Sequence, residues 1–530
     1  HDVEVRFSVQ GLESTDFRVV RFKGEEGLST QYLFNLEAMC EDSGLSMDEV
    51  VGSPALLTIS SKEGDRHVHG MVSRLQQRAT NRGQGWSYTL YQMTLVPRAW
   101  LLRHRQDCRI FQNQTVQQII AGILNQAGIK HRFHGAEGMQ PREYCVQFRE
   151  SDWAFISRLL EEEGFFYYFT HGTDGHELRI GNNFQHHQDI PGEDVIPYHD
   201  PDGQIAAQEF IYQFFYGQAV RSGKVTLDDF NYQKPALQLT SEAQAEVDQA
   251  LEVYDYPGDF QTESEGKRQA KLRLEAIEAT RQQGEGKSSC PRLVAGHYFV
   301  LDSHPRETLN NKKYLLTRIH HTSAPSEGKQ GVGEGVLERA TTYHNEFYCI
   351  PRQIPFRPQR MTPKPRITGV QTAIVQATAG EIETHELGEV HVKFHWDRRT
   401  GSDRRLTCWI RVAQYWAGPA FGAVYMPREG QEVIVEFVDG DPDRPIITGR
   451  VYNGLNVPPY PLPRDQTIST LMSRSTPDGD GFNEIRFEDQ KGKEEFFTHA
   501  EKDQNEIVKA NQMTSVGGKR GMAVGGDHVE

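Results

Sequence analysis

No apolar run in this sequence approaches the ~18 residues that a membrane-crossing helix needs. There is no CxxC pair either. The six cysteines, Cys40, Cys108, Cys145, Cys290, Cys349 and Cys408, are scattered, which excludes a zinc ribbon or a redox dithiol. Scattered thiols fit a chain folded in a reducing cytosol, and the even count leaves disulfides open. A basic excess is also missing. The 58 basic residues face 73 acidic ones, for a net charge of −15, which argues against nucleic acid, whose phosphates want a basic face. Arg398-Arg399 and Arg404-Arg405 are local exceptions to that balance. The chain starts at His1, and no signal peptide is visible.

Catalytic signatures are equally scarce. No GxSxG elbow and no HExxH occur. GEGKSS (284–289) imitates a phosphate loop, but Arg281 stands where glycine is needed and a helix precedes it, so it reads as a loop with a lysine. GKQGVGEGV (328–336) has the wrong glycine spacing and reads as a mobile loop. Asp439, Asp441 and Asp443 open like a calcium loop, but Arg444 and Arg450 occupy the required glycine and glutamate positions, which favours a hairpin turn. His186-His187 and His320-His321 read as surface histidines, with a bound divalent ion as the alternative. Glu161-Glu162-Glu163, at a helix end among basic residues, reads as solvated surface and not as glycosidase carboxylates. No catalytic, metal-binding or cofactor-binding residue is expected.

What is present is turn-rich β sequence, with 48 glycines and 25 prolines. VEVRFSV places Val3, Val5, Phe7 and Val9 on one face of a strand, and YTLYQMTLVP (88–97) is a second strand stopped by Pro97. Thr115–Gln118 is a capping box, with Val116, Ile119, Ile120, Ile123, Leu124 and Ala127 at helical spacing and a stop at Gly128. A second helix starts at Ser151 and closes at Gly164, and a third, charged one spans roughly 262 to 283. PRQIPFRPQRMTPKP (351–365), with five prolines and four basic residues, reads as a stiff linker. Beyond it, GEVHVKFHW puts Val390, Val392, Phe394 and Trp396 on one face. With the strands and Asp-Pro turns that follow, it suggests a small closed barrel of the oligonucleotide/oligosaccharide-binding (OB) type.

The chain ends on a repeat. Val508, Val516 and Val524 stand eight residues apart, and the last two are followed by Gly517-Gly518 and Gly525-Gly526. On a helix at about 100° per residue the valines would drift by about 80° per repeat. In an extended chain eight is even, so all three face one way, together with Thr514 and Met522. The stretch reads as short strands with an apolar edge, turned at glycine pairs whose φ is free to go positive. A calcium-binding nonapeptide coil needs period nine and a ladder of aspartates, and only Asp527 is there.

With these octads, four further stretches resemble the VgrG family, the valine-glycine repeat spike of the bacterial type VI secretion system: RSGKVTLDDFNYQKP (221–235), FRESDWAFISRLLEEEGFFYYF (148–169), the barrel run 388–453 and GFNEIRFEDQKGKEEFFTHAEKDQN (481–505). The resemblance implies a mainly β fold with an α+β, phage tail-hub-like part: hub 1–350 with two similar β domains plus helices, Pro-rich linker 351–365, OB-fold barrel 366–457, bridge 458–505, and the start of a trimeric intertwined β-helix needle at 506–530. It implies a non-enzymatic homotrimeric puncturing spike. Six near-equal hub positions would dock on the hexameric tube of haemolysin-coregulated protein (Hcp). A proline-alanine-alanine-arginine (PAAR) repeat protein would cap the needle, and secreted effectors would ride on either piece. Assembly would be cytoplasmic, with translocation through a target envelope afterwards. The interval from Asn453 to Gly481 leaves no room for the lysozyme of the phage counterpart.

The octads argue the same way physically. One chain offers too few apolar side chains per repeat to offset ordering eight residues at roughly 1–2 kcal/mol each. Three wound chains give the valines a shared interior and every strand edge a partner. Val508, Val516, Met522 and Val524 are therefore the expected trimer core, and Gly517, Gly518, Gly525 and Gly526 the expected corners. Val524 begins a repeat that the sequence cuts short, so the native polypeptide is expected to continue. Competing readings are a β-rich secreted hydrolase, a spike with a catalytic extension past residue 530, and a glycan-binding barrel using Trp396, Trp409 or Trp416.

Overall fold

A computed structural model describes all residues except 1, 13–14, 16, 84–85, 200–208, 326–340, 379, 400–406 and 527–530. The GKQGVGEGV stretch, expected as a mobile loop, and Arg404-Arg405 and Asp527 fall outside that set. Chain contacts divide the molecule into two units: residues 1–369 with 396–398 and 437–444, and residues 370–395, 399–436 and 445–530. No helix is long and apolar enough to cross a membrane among the described residues. The six cysteines are free thiols.

In the first unit, alternating apolar residues build β1 (Asp2–Val9), β2 (Phe17–Gly27), β3 (Thr30–Cys40), β4 (Pro54–Ser61), β5 (Gly64–Gly83) and β6 (Trp86–Val96). Val3, Phe7 and Val9 are buried, as their period of two requires. The strands pair in the order β2-β3-β6-β5-β4-β1, and β1 returns to β2 at Phe7–Phe17, closing a six-strand ring without free edges. Next come β7 (Gln106–Gln114), α1 (Val116–Gln126), β8 (His131–Phe133), β9 (Arg142–Ser151), α2 (Asp152–Glu163), β10 (Phe166–His171) and β11 (His176–Gly181). The Thr115 capping box is fully formed around α1. Gly164, at φ 71°, ends α2 in the left-handed region that glycine favours. Both helices bury their apolar stripes in the core of the first ring.

A second ring follows. Its strands are β12 (Gln188–Asp189), β13 (Val195–Pro197), β14 (Ile211–Gln218), then, after an insertion, β18 (Gln282–Ser288), β19 (His297–Asp302), β20 (Lys312–Pro325) and β21 (Thr341–Pro351). The insertion is a small sheet of β15 (Lys224–Leu227), β16 (Ser241–Gln244) and β17 (Glu252–Asp255) backed by α3 (Glu263–Glu278). The order β13-β19-β20-β21-β18-β14 closes through a bridge between Tyr198 and Ile211. Pairings of β2 with β20 and of β1 with β21 fuse the two rings. The third helix stops at Glu278, short of the expected 283, and GEGKSS is a strand, not a loop. A Cβ at Gly286 would meet the Phe347 ring at 2.4 Å, and Lys287 pairs with Glu346 across the ladder at 2.7 Å.

The proline-rich stretch 351–365 belongs to this unit and is bolted down along its length. Arg357 binds Glu275 at 2.7 Å and the Gly164 carbonyl at 3.1 Å, Arg360 binds Gln269 at 2.8 Å, and Glu161 accepts from the amides of Met361 and Thr362. Proline has no amide to donate, so side chains and scattered amides supply the anchoring.

In the second unit, β22 (Gln371–Gln376), β23 (Glu389–Phe394), β24 (Ile410–Arg411), β27 (Glu432–Phe437) and β28 (Pro445–Val451) pair in the order β24-β23-β22-β27-β28. A bridge between Val412 and Ile447 closes them into the five-strand barrel that the sequence suggested. Val390, Val392, Phe394, Val433 and Val435 fill it. A hairpin of β25 (Trp416–Gly418) and β26 (Phe421–Ala423) leaves the barrel between β24 and β27. After it come β29 (Ile468–Met472), β30 (Glu484–Glu488) and β31 (Glu495–His499), an antiparallel three-strand sheet.

Candidate functional site

From Glu501 to Gly526 the chain runs extended without strand pairing, and it bends at 501–502, 509–510, 517–518 and 525–526. The eight-residue period is thus in the backbone, and it begins one repeat before Val508. The glycine pairs coincide with the last two bends, but none of Gly517, Gly518, Gly525 and Gly526 has a left-handed φ. This corrects the expectation of positive-φ corners. The Glu501-Lys502 and Lys509-Ala510 bends, which contain no glycine, make the same point.

Val508, Val516, Met522 and Val524 are 44, 49, 62 and 50% exposed. A built Cβ at any of the four corner glycines would find nothing within 4 Å. A half-covered valine returns well under the roughly 1.5–3 kcal/mol of a fully buried one, against a backbone ordering cost of that size for every residue. One copy of the chain therefore lacks the packing this stretch needs.

The sheet ahead of it is inverted. On one face of β29–β31, Leu471 lies across from Ile485, and Phe487 lies across from Phe496 with ring centroids 5.2 Å apart. All four are exposed. The other face carries the charges, and these are satisfied. Glu484, almost fully buried, accepts from Tyr460 Oη at 2.6 Å and Thr470 Oγ1 at 2.7 Å, while Arg486 donates to Tyr460 Oη and Glu495, each at 2.7 Å. Hydrogen bonds to Tyr460 and Glu495 raise the Arg486 pKa. An outward apolar face on a short open sheet marks a surface that expects a cover. The alternation in EIRFE carries that signal in the sequence, where only a bridge was read.

The other candidate sites resolve into structure. Lys364 Nζ lies 2.7 Å from Asp441 and 2.9 Å from Asp443, so an ammonium occupies the middle of the calcium-like turn. Burial and the neighbouring Asp443 push Asp441 up to about 6. Asp443 also accepts from the Val146 amide at 2.6 Å, and Arg444 binds Asp229 at 2.6 Å. The histidine pairs are not both surface. His187 is buried against Phe166, ring centroids 4.2 Å apart, and burial drives its pKa down to about 3. His321 is buried between Glu26, at 3.1 Å, and Tyr343 Oη, at 2.6 Å; burial first, then Arg66, depress it to about 4. No group of three metal-ligating side chains occurs among the described residues. The Glu161–Glu163 run is not solvated surface: Arg142 holds Glu162 and Glu163 at 2.7 Å each. Of the three tryptophans offered to a sugar, Trp396 packs on Phe148 and Trp409 on His391, leaving Trp416 exposed.

Comparison with known proteins follows the same order along the chain. The phage tail baseplate hub family matches residues 25–326, the type VI secretion system/phage-baseplate injector OB domain 371–452, and the bacteriophage T4 gp5 C-terminal trimerisation domain 469–530. The last match covers the inverted sheet and the octads together. The type VI secretion system spike protein VgrG1b of Pseudomonas aeruginosa is 38% identical over 509 residues, which is 94% of this chain and 67% of that protein.

The chain belongs to the VgrG spike family.

The VgrG relatives include the actin cross-linking toxin VgrG1 of Vibrio cholerae, 35% identical over 96% of this chain but only 47% of that protein. The chain spans 47% of the length of that toxin and 77% of the length of the spike protein VgrG1a of Pseudomonas aeruginosa. Among solved structures, the E. coli c3393 protein, a type VI secretion component with structural similarity to the T4 tail proteins gp27 and gp5, superposes with a TM-score of 0.61 at 20% identity. The match covers 84% of this chain and all of that one. In VgrG terms, the two fused rings fall in the hub, the five-strand barrel is the OB domain, and the unpartnered stretch lies in the trimerisation domain.

Proposed function

We propose that three copies of this chain wind their octads into a rigid needle that is driven through a target envelope at the tip of the secretion tube. The observation that carries this reading is the stretch 501–526, periodic in its bends and unpaired in a single copy. Val508, Val516, Met522 and Val524 form the needle core in this reading, and Gly517, Gly518, Gly525 and Gly526 lie where its strands turn. The proposed division is hub 1–350, strap 351–365, barrel 366–457, bridge 458–505 and needle from 506. Three hubs with two rings each present six near-equal positions, which suits a hexameric Hcp tube; a PAAR protein caps the needle, and effectors travel with either. The spike assembles in the cytoplasm and is then translocated. The work of this segment is mechanical and not catalytic.

A second reading keeps the spike and adds an enzyme beyond residue 530. The Vibrio cholerae relative, named as a toxin and more than twice the length this chain covers, favours it for some members of the family. The test of the main reading is the native mass of the intact protein. A trimer resistant to dilution is expected, and a monodisperse single copy with an ordered tail overturns it.

A further inference from the structure

From Tyr415 to Pro427 the sequence reads YWAGPAFGAVYMP, with no charged and no amide side chain, although a quarter of the protein's residues are charged. The hairpin β25–β26 occupies the first part of it. Trp416 pairs with Ala423 and Gly418 with Phe421, and Ala420 at the tip has φ 63°. The Phe421 ring sits against Gly418, where a Cβ would come within 2.4 Å of it, and meets Trp416 edge-on with centroids 5.5 Å apart. The arms are therefore locked to each other. Even so, Tyr415, Trp416, Phe421 and Val424 are 94, 65, 55 and 74% exposed. The hairpin is ordered by its own contacts and covered by nothing from its own copy among the described residues.

We propose that this hairpin is a contact between copies of the chain, so that the spike is joined through its barrels as well as its needle. The inference rests on the trimer reading above, and three features select a second copy as the occupant. Thirteen residues without a charge resemble a permanently buried interface, because surfaces that dock transiently keep a polar composition. The hairpin is tied to the segment matched by the trimerisation domain: its returning arm leads to Arg428, whose Nη2 donates to the Arg474 carbonyl at 3.0 Å. Ala417, Gly418, Ala420, Gly422 and Ala423 keep the ribbon thin, so another backbone can approach closely. A sugar is the weaker occupant. Sugar sites set several polar groups around the stacked ring, and this stretch offers only the hydroxyls of Tyr415 and Tyr425 and the indole N–H of Trp416.

Hydroxyl-radical footprinting of the intact protein tests this. Side chains covered by a second copy label at least about tenfold more slowly in the native protein than in the urea-unfolded chain, whereas side chains as open as Tyr415 and Trp416 label at nearly the unfolded rate. Protection of Tyr415, Trp416 and Phe421 in a native trimer supports the proposal. A native trimer with these three open overturns it and leaves the spike reading intact, and so does protection that appears only on adding oligosaccharide. A monomeric protein overturns both. As a second arm, Trp416→Ser with Phe421→Ser is expected to keep the circular dichroism spectrum, because neither ring is buried within one copy, while the trimer dissociates at about tenfold higher concentration than the parent. An unchanged dissociation curve overturns the inference.

Discussion

Arg66 Nη2 lies 2.7 Å from Glu26 Oε1, with both side chains buried where the two hub rings meet. Arg66 also donates to the carbonyls of Pro291 and Leu293, at 2.9 and 3.0 Å, so one guanidinium on the first ring holds the chain leading into β19 of the second. Burial works against the Glu26 charge, yet Arg66 and His321 hold its pKa well below the usual carboxylate range. Arg66→Met leaves that carboxylate buried without its cation and is expected to cost about 3–5 kcal/mol. Arg66→Met combined with Glu26→Gln should cost less than the sum of the two single changes. Urea unfolding of the four proteins checks both statements.

The hub should lose stability in mild acid because of its buried histidines. His321 and His176 are depressed to about 4, and His187 and His171 to about 3, in each case by burial first. A ring whose folded pKa lies below its unfolded value of about 6.5 takes up its proton more readily in the unfolded chain, so stability is whole above that pH and declines as pH falls toward the folded values. Each such ring adds up to about 1.4 kcal/mol per pH unit to the slope in that window. Glu26 acts lower down: its depressed pKa stabilises the fold above the unfolded carboxyl value, and that contribution fades only as pH drops toward the folded one. The expected outcome is a urea midpoint that falls steadily from pH 7 to pH 4.5, with a shallower fall in His187→Phe, where a phenyl ring can keep the stack on Phe166. A flat profile would contradict this.

Strand β18 allows the phosphate-loop imitation to be tested directly. Lys287→Ala removes an exposed cross-strand partner and should change stability by no more than ~0.5 kcal/mol. Gly286→Ala drives a methyl into the Phe347 ring and to within 2.9 Å of the Gln213 carbonyl, so a loss of about 1–3 kcal/mol is expected from overpacking. A phosphate-binding loop would behave differently, with Lys287 the sensitive position and nucleotide raising the melting temperature.

The strap 351–365 offers trypsin two cleavable bonds, after Arg352 and Arg360, because Arg357 and Lys364 are each followed by proline. Its anchors predict resistance. Cleavage should become several-fold faster in Arg357→Ala, which releases the Glu275 carboxylate and the Gly164 carbonyl together. Equal digestion of the two proteins would show that the segment swings free.

Val516→Asp with Val524→Asp is expected to abolish the heat resistance of the assembled needle, since three copies would bring six carboxylates into one narrow interior. Within one copy both valines are half exposed, so the spectrum of the separate units should not change. Light scattering combined with thermal melting distinguishes the outcomes.

Much of this was legible in residue order, and the boundary is physical. Period-two and period-3.6 patterns located β1, α1, α2 and the barrel strands, because each buries one face against its own chain. GEGKSS escaped because its glycines serve flat packing under Phe347 and Phe214, contacts made with strands remote in sequence. Glu161–Glu163 and His321 look like surface in the sequence for the same reason: their partners Thr362, Arg142 and Glu26 are not sequence neighbours. The outward apolar row Leu471, Ile485, Phe487 and Phe496 is not legible in residue order because alternation says that a strand has two unlike faces, not which of them the chain itself covers.

The bends at Glu501-Lys502 and Lys509-Ala510 show a backbone rhythm that glycine does not impose. A one-residue insertion after Ala510 would turn every later valine to the opposite side, and two extra residues would keep the sides but displace each bend from its counterpart on the neighbouring strands. Only whole octads preserve both. Reach is therefore quantised: a shaft of this kind keeps both its sides and its bends only when it is lengthened or shortened by whole eight-residue modules.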